Sequence, residues 1–237
     1  MKRILFFAGL VLVLGACQVH TDCYVIKGTV EHVGNGIAIL NKTSGEQAVP
    51  VYDTVQMKEG VFAFSGKLNH PEGVVIQLIP EGKSPAAFGF IAENSRIEVT
   101  LDWDDAVDQY GARYFSDPKI VGSRNQDVFR QISYAHEELM KQPEFQECAR
   151  VFEQLQQLQQ TDQNAYEKLK EESAELMDRF RTAVYKRQLQ LIRENNDVEA
   201  VGSNLRMLTG IMSLEELEEV FNFLTPHVQE SPMTAEV

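Results

Sequence analysis

Cysteine is scarce in this sequence, which has Cys17, Cys23 and Cys148 in 237 residues. They form no Cys-x-x-Cys pair, the arrangement that lowers a thiol pKa for redox exchange. The sequence also lacks a Gly-x-Ser-x-Gly motif and a phosphate-binding glycine loop, which removes the usual evidence for a serine hydrolase or a nucleotide-binding enzyme. We therefore predict a protein that is not an enzyme and uses no cofactor.

Long hydrophobic runs are also missing, and the longest apolar segment covers residues 4–14, directly after Lys2 and Arg3. A transmembrane helix needs about 20 apolar residues to cross the hydrocarbon core of a bilayer. A short positive segment followed by an apolar run of this length is typical of a secretory signal peptide. Residues 1–16 are therefore predicted to be a signal peptide and are excluded from the fold.

The end of this segment, Leu14-Gly15-Ala16-Cys17, resembles the lipobox of bacterial lipoproteins. The resemblance implies that Leu14, Gly15 and Ala16 are recognised by a signal peptidase, which cuts before Cys17. It also implies that Cys17 carries the lipid and that residues 17–23 form a tether. Gln18 follows the cysteine, where an aspartate would favour the inner membrane, so we predict an outer-membrane protein facing the periplasm. The alternative is an ordinary secretory signal followed by a chance cysteine.

Basic residues are outnumbered, with 22 Lys and Arg against 35 Asp and Glu and a formal net charge of -13. Loss of Lys2 and Arg3 with the signal peptide makes the mature chain more acidic by two charges. A chain this acidic is a poor ligand for nucleic acid and for anionic lipid surfaces. We predict that the protein contacts a membrane through its lipid and binds no nucleic acid.

Short runs rich in β-branched and aromatic residues, separated by turn residues, fill the chain from residue 24 to residue 121. Ile97, Val99 and Leu101 alternate with polar residues, as in a strand buried on one face. Because no helix-length segment interrupts these runs, we predict an antiparallel β-sandwich or barrel. The predicted strands cover residues 24–33, 37–41, 47–57, 61–68, 74–79, 87–91 and 96–101.

The pattern changes to helical periodicity from residue 122 to residue 237. Ser123 with Gln126, and Ser213 with Glu216, have the spacing of helix-capping boxes. Between them, apolar residues recur at intervals of three or four, and a long helix is predicted over residues 165–195. Pro226 is predicted to end the last helix. The predicted fold class is therefore α+β, with an all-helical region after the sandwich.

Several of these segments resemble a family of envelope lipoproteins. The matching segments are residues 24–30 (YVIKGTV), 55–67 (VQMKEGVFAFSGK), 97–100 (IEVT), 121–125 (VGSRN), 213–217 (SLEEL) and 224–232 (LTPHVQESP). In that family a β-rich domain of unknown function and a helical linker precede a thioredoxin-like thiol–disulfide oxidoreductase domain. The resemblance implies this two-part fold and a thioredoxin-fold partner. It assigns no chemistry to any residue present here.

The sequence ends at Val237, where the resemblance would place the start of a thioredoxin domain. We expect one of two explanations, a stand-alone accessory module or a chain shortened before that domain. The leading hypothesis is a non-enzymatic binding or accessory module that faces the periplasm and has an envelope protein or a thiol–disulfide enzyme as its partner. The alternatives are the accessory half of a split oxidoreductase and a binder of small molecules or glycans on the sandwich face.

A few residues remain as candidate sites. Trp103, the only tryptophan, is a candidate ligand contact, with a place at the edge of the core as the alternative. Cys23 and Cys148 are a candidate disulfide in an oxidising compartment. The acidic cluster around Trp103 departs from the calcium-binding EF-hand pattern and is interpreted as a solvated loop. No two histidines have metal-ligand spacing, so no metal site is predicted.

Overall fold

A computed structural model of the chain describes residues 22–42, 51–109, 111–235 and 237. Within these residues a β-rich part is followed by a helical part, and the predicted α+β fold class is confirmed. None of the helices described is both long enough and apolar enough to cross a bilayer.

Ten strands form the β-rich part of the described chain, beginning at Tyr24 and ending at Val121. They are β1 (Tyr24–Glu31), β2 (Gly36–Lys42), β3 (Val51–Met57), β4 (Val61–Gly66), β5 (Glu72–Pro80), β6 (Ala86–Ala92), β7 (Arg96–Asp102), β8 (Val107–Gln109), β9 (Ala112–Tyr114) and β10 (Lys119–Val121). A short 3-10 helix, Trp103–Asp105, separates β7 from β8. The predicted solvated loop around Trp103 is thus replaced by this helix and by strand β8.

The strands form two sheets, one of four strands in the order β10-β7-β1-β4 and one of six in the order β3-β2-β5-β6-β9-β8. Most neighbours pair antiparallel, as predicted, but β1 pairs parallel with β7 and β6 pairs parallel with β9. Both sheets are therefore mixed. Alternation along a strand reports which face is buried and carries no information on the direction of the neighbouring strand, which is why the sequence did not reveal these two pairs.

One hydrophobic core lies between the sheets. The four-stranded sheet contributes buried residues such as Ile26 and Phe64, and the six-stranded sheet contributes others such as Leu40, Ile76 and Phe88. These side chains come from alternate positions of their strands. The positions between them are more exposed, and they are polar in β7 (Arg96, Glu98 and Thr100) but partly apolar in β5 (Val75 and Ile79). At about 25 cal/mol per Å² of apolar surface, this shared core is the main source of stability for the sandwich.

Eight α-helices follow in the described chain. They are α1 (Arg124–Ser133), α2 (Ala135–Met140), α3 (Gln146–Thr161), α4 (Gln163–Glu172), α5 (Ala174–Glu194), α6 (Ala200–Leu208), α7 (Leu214–Phe223) and α8 (Pro226–Gln229). Ser123 and Ser213 cap α1 and α7 by accepting hydrogen bonds from the amides of Gln126 and Glu216. Both predicted capping positions are confirmed.

One detail of the helical prediction was wrong, and another was incomplete. The long helix predicted over residues 165–195 is divided at Ser173, whose hydroxyl donates to the carbonyl of Leu169 at 2.7 Å. A serine that bonds back by one turn bends a helix. Pro226 begins α8 and does not merely end α7, because proline fits the first turn of a helix, where its missing N–H leaves no bond unmade.

The helical part is joined to the sandwich where α1 meets the end of β6. The amide of Ile91 donates to the side chain of Gln126 at 2.8 Å, and its carbonyl accepts from the hydroxyl of Ser123 at 2.8 Å. The side chain of Asn125 accepts from the amide of Ala200 at 2.9 Å. All three side chains are buried or nearly so, so the two parts share a continuous, hydrogen-bonded interface.

Two clusters of apolar side chains fill the helical part. The larger one is built mainly from α1, the end of α5, α6 and α7, and it includes Ile91 of β6. The smaller one has Leu139, Cys148 and Phe180 as its buried members. Helix α4 has no buried residue, so α3, α4 and the first half of α5 form an arm with little core of its own.

Candidate functional site

The predicted lipidation site lies outside the described residues. Leu14, Gly15, Ala16 and Cys17 all precede residue 22, where the structural description begins. Their role therefore rests on the sequence and on the comparison with known proteins given below.

Trp103 lies in the sandwich core and is only 2% exposed. Its ring meets that of Phe115 edge to face, with ring centroids 5.8 Å apart. Lys83 and Arg113 cover the ring, at 5.4 and 5.2 Å from its centroid. The structure thus places Trp103 at the edge of the core, the alternative considered from the sequence, and leaves it no free face for a ligand.

Cys23 and Cys148 are free thiols in the structure, and the candidate disulfide is not formed. Cys23 is exposed one residue before β1, whereas Cys148 is fully buried in α3. Burial raises the pKa of the Cys148 thiol, which disfavours the thiolate needed for reaction. The two cysteines are therefore in different parts of the molecule and in opposite chemical environments.

The fold brings together a histidine and two aspartates that lie far apart in sequence. His32 follows β1, Asp102 is the last residue of β7, and Asp104 lies in the 3-10 helix. β1 and β7 are parallel, and Glu31 lies opposite Asp102. The C-terminal ends of both strands are therefore at the same end of the sheet. The side chains that follow them therefore meet there.

The geometry of this cluster is tight. The Nδ1–H of His32 donates to Oδ1 of Asp102 at 2.7 Å, and the same nitrogen lies 3.6 Å from Oδ2 of Asp104. This hydrogen bond raises the pKa of His32 and lowers the pKa of Asp102. His32 has a positive φ of 56°, an uncommon conformation for a residue other than glycine.

A shallow cavity of about 490 Å³ opens beside the cluster. Four carboxylate side chains line it, those of Glu31, Asp102, Asp105 and Asp117, together with Lys119. Asp102 belongs to both the cavity and the cluster. The surface at this end of the sandwich is thus strongly acidic and open to solvent.

The sequence analysis missed this cluster because it considered only local spacing. His32 and Asp102 are separated by 70 positions in the chain, and only the parallel pairing of β1 with β7 brings them into contact. The cluster could have been predicted only from the parallel pairing of β1 with β7, and the alternation of residues along a strand does not reveal which strands pair.

A second group of ionisable side chains lies between the sandwich and the helices. Glu199, at the start of α6, is 3.4 Å from Nδ1 of His70 and 3.5 Å from Nε2 of His227. It also accepts a hydrogen bond from the buried hydroxyl of Ser231 at 2.5 Å. Because this serine bonds to the carboxylate and is 1% exposed, the group resembles a structural ion pair more than a nucleophilic site.

Comparison with known proteins identifies two segments of the chain. Residues 24–129 match the family model described as "Domain of unknown function (DUF4369)". A domain of unknown function therefore spans the sandwich and the start of α1. Residues 1–18 match the model of the prokaryotic membrane lipoprotein lipid attachment site, which includes Cys17 and indicates a lipid-anchored envelope lipoprotein.

No curated protein matches the chain. A solved structure described as "NMR structure of the protein from Eubacterium rectale" is 10% identical and covers 46% of this chain and 97% of its own. Its TM-score is 0.25, a value at which it carries no argument about fold or function.

Proposed function

We propose that this chain is a non-enzymatic accessory module that a lipid anchor holds close to a membrane of the cell envelope. The observation that carries the proposal is the order of the two matched segments, a lipid attachment site over residues 1–18 and a DUF4369 domain from residue 24. Six residues separate Cys17 from Tyr24, and an extended chain of seven Cα–Cα steps spans at most about 25 Å. The sandwich is therefore within reach of other proteins bound at the same membrane.

The placement of the reactive side chains supports a binding role over a catalytic one. Ser231 is buried and bonded to Glu199, and Trp103 is buried in the core. Of the two described thiols, that of Cys23 is exposed and that of Cys148 is buried. Charge supports a protein partner, since a chain with a net charge of -13 is repelled by anionic lipid and by nucleic acid. In this proposal the chain is attached to the membrane by its lipid and not by a basic surface.

For the partner we propose a thioredoxin-like thiol–disulfide oxidoreductase at the periplasmic face of the outer membrane. The support for this finer statement is the resemblance of the strand, junction and C-terminal segments to the family in which such a domain follows. Gln18 after the lipidated cysteine supports the outer membrane.

Crosslinking in intact cells tests the proposed partner. A tagged chain would be crosslinked, purified in detergent and analysed by mass spectrometry, with Cys17→Ser as the unanchored control. We expect a thioredoxin-fold protein to dominate the crosslinked material of the anchored form and to be depleted in the control. A different envelope complex, or crosslinks only between copies of this chain, would overturn the proposed partner.

Density-gradient separation of the two membranes tests the location. The protein is expected in the outer-membrane fraction, and Cys17→Ser, which lacks the thiol that carries the lipid, is expected to be lost from that fraction. Recovery of the lipidated protein with the inner membrane would overturn the proposed outer-membrane location. The accessory role is tested separately, by the crosslinking experiment.

A further inference from the structure

We propose that His32, Asp102 and Asp104 form a binding site for a divalent transition-metal ion, with Zn²⁺ as the best chemical fit. One ligand atom from each residue lies within 4.8 Å of the other two. Protein ligands of a tetrahedral zinc ion lie about 2.0–2.2 Å from the metal and about 3.4 Å from one another. The 3.6 Å between His32 and Asp104 already has this spacing, and the 2.7 Å between His32 and Asp102 must open by less than 1 Å.

The ligand set selects the type of ion. An imidazole nitrogen with two carboxylate oxygens suits zinc and related first-row ions, whereas calcium and magnesium prefer oxygen ligands alone. Three protein ligands leave a fourth position for water. The exposed fractions of the side chains, 60% for His32, 32% for Asp102 and 74% for Asp104, leave room for that water.

The surroundings of the cluster favour a cation. Glu31 and Asp105 line the adjoining cavity, and their carboxylates attract positive charge. Two lysines are nearby. Lys119 lines the cavity, and the ammonium group of Lys83 donates to the backbone carbonyl of His32 at 2.7 Å and lies against the ring of Trp103. Lys83 is therefore held next to the three ligand residues by its hydrogen bond to the backbone carbonyl of His32.

The backbone supports a specific role for His32. Its φ is positive, and its Nδ1 lies 2.7 Å from Oδ1 of Asp102, the last residue of β7. Such a backbone conformation is uncommon in a residue other than glycine. A metal ion at this position would connect the ends of two neighbouring strands of the four-stranded sheet. We therefore expect the ion to stabilise the fold as well as to bind.

Calorimetric titration of the purified, lipidated protein with ZnCl₂, after removal of metals with a chelator, tests the site. We expect one saturable site and a rise in melting temperature with zinc. His32→Asn, which tolerates positive φ, and Asp104→Asn should each weaken zinc binding by about tenfold or more, on the scale of changes to metal-site residues. His136→Asn and Asp108→Asn, which change the same residue types outside the cluster, should leave the affinity unchanged.

Four outcomes would overturn the proposal. They are the absence of saturable zinc binding, an unchanged affinity in both His32→Asn and Asp104→Asn, tighter binding of Ca²⁺ than of Zn²⁺, and loss of zinc binding in His70→Asn instead. The last would move the site to the histidines around Glu199. Because the titration uses only this protein and the metal, its result is independent of the proposed thioredoxin-fold partner.

Discussion

Gly28 of β1 lies opposite Phe62 of β4, and the aromatic ring occupies the space in which a side chain at Gly28 would lie. A Cβ atom built on Gly28 would stand 1.9 Å from Cζ of Phe62, far inside van der Waals contact. We expect Gly28→Ala to lower the free energy of unfolding by about 1–3 kcal/mol, as overpacking of a core does. Chemical denaturation monitored by circular dichroism measures this change.

Gly73→Ala is the matched control for that substitution. Gly73 is also in a strand, β5, but a Cβ there meets nothing within 4 Å, so its effect should stay within about 0.5 kcal/mol. Equal effects of the two substitutions would show that Phe62 moves aside without cost.

The two described thiols should differ in reactivity. In the Cys17→Ser form, a maleimide should label Cys23 in the native state, because this residue is exposed, and should label Cys148 only after unfolding, because burial raises its thiol pKa. Mass spectrometry of the labelled chain counts the modified sites. Labelling of both residues in the native state, or of neither in the unfolded chain without reductant, would contradict the structure.

At the scale of residues, the sequence predicted roles from local spacing and therefore succeeded only where the determinant is local. The capping serines were found, because a cap acts within three residues. The contact of His32 with Asp102 and the burial of Trp103 depend on strand pairing and on the packing of Phe115, and no local spacing encodes either of them.

At the scale of elements, the junction between β6 and α1 explains how the two parts hold together. Strand β9 pairs with β6 only at Ala86 and Ala87, the first two residues of β6. On that side of β6, the residues near its C-terminal end therefore have no pairing with β9. Ser123 and Gln126 bond the carbonyl and the amide of Ile91. The side chains of Ser123, which caps α1, and of Gln126 in its first turn thus take the place of a missing strand.

Ser123→Ala should therefore destabilise the protein more than the loss of a helix cap alone. The substitution removes the cap of α1 and leaves the buried carbonyl of Ile91 without this donor, at a cost of about 1–3 kcal/mol for the unsatisfied group. Ser213→Ala is the matched control, since Ser213 caps α7 at an exposed position and should cost about 1 kcal/mol. Denaturant unfolding of both variants gives the comparison, and equal losses would argue against the bonding role of Ser123.

Most elements were predicted from periodicity, and the errors have identifiable physical causes. The division of the long helix depends on one hydroxyl, that of Ser173, bonding to the backbone of its own helix. The short strands β8, β9 and β10 have three residues each, too few for a repeat to be detected. Their existence depends on neighbours supplied by the rest of the sheet.

At the scale of the whole molecule, stability should be unevenly distributed. The arm of α3 and α4 has few buried residues, whereas α6 is surrounded by the larger helical cluster. We expect backbone amides of α4 to exchange with deuterium at least about tenfold faster than those of α6, because local opening exposes little apolar surface. Hydrogen–deuterium exchange with mass spectrometry checks this difference.

The C-terminal half of α5 provides the internal reference for that experiment. It lies in the same helix as part of the arm, but Leu189, Leu191 and Ile192 are buried in the larger cluster. Its amides should exchange as slowly as those of α6. Equal protection along α4 and this segment would mean that the arm is covered by contacts with another molecule.

The course of β1 gives the molecule a proximal and a distal pole. Tyr24, at the start of the strand, is seven residues from the lipidated cysteine, and His32 follows its far end about 23 Å away. The bonds from β1 to Ser95, and from Ser95 to Gly122, place the start of α1 at the proximal pole. The start of α1 therefore lies at the end of β1 that is nearer to the lipid attachment site along the chain, whereas the acidic cluster with His32 lies at the opposite end of that strand.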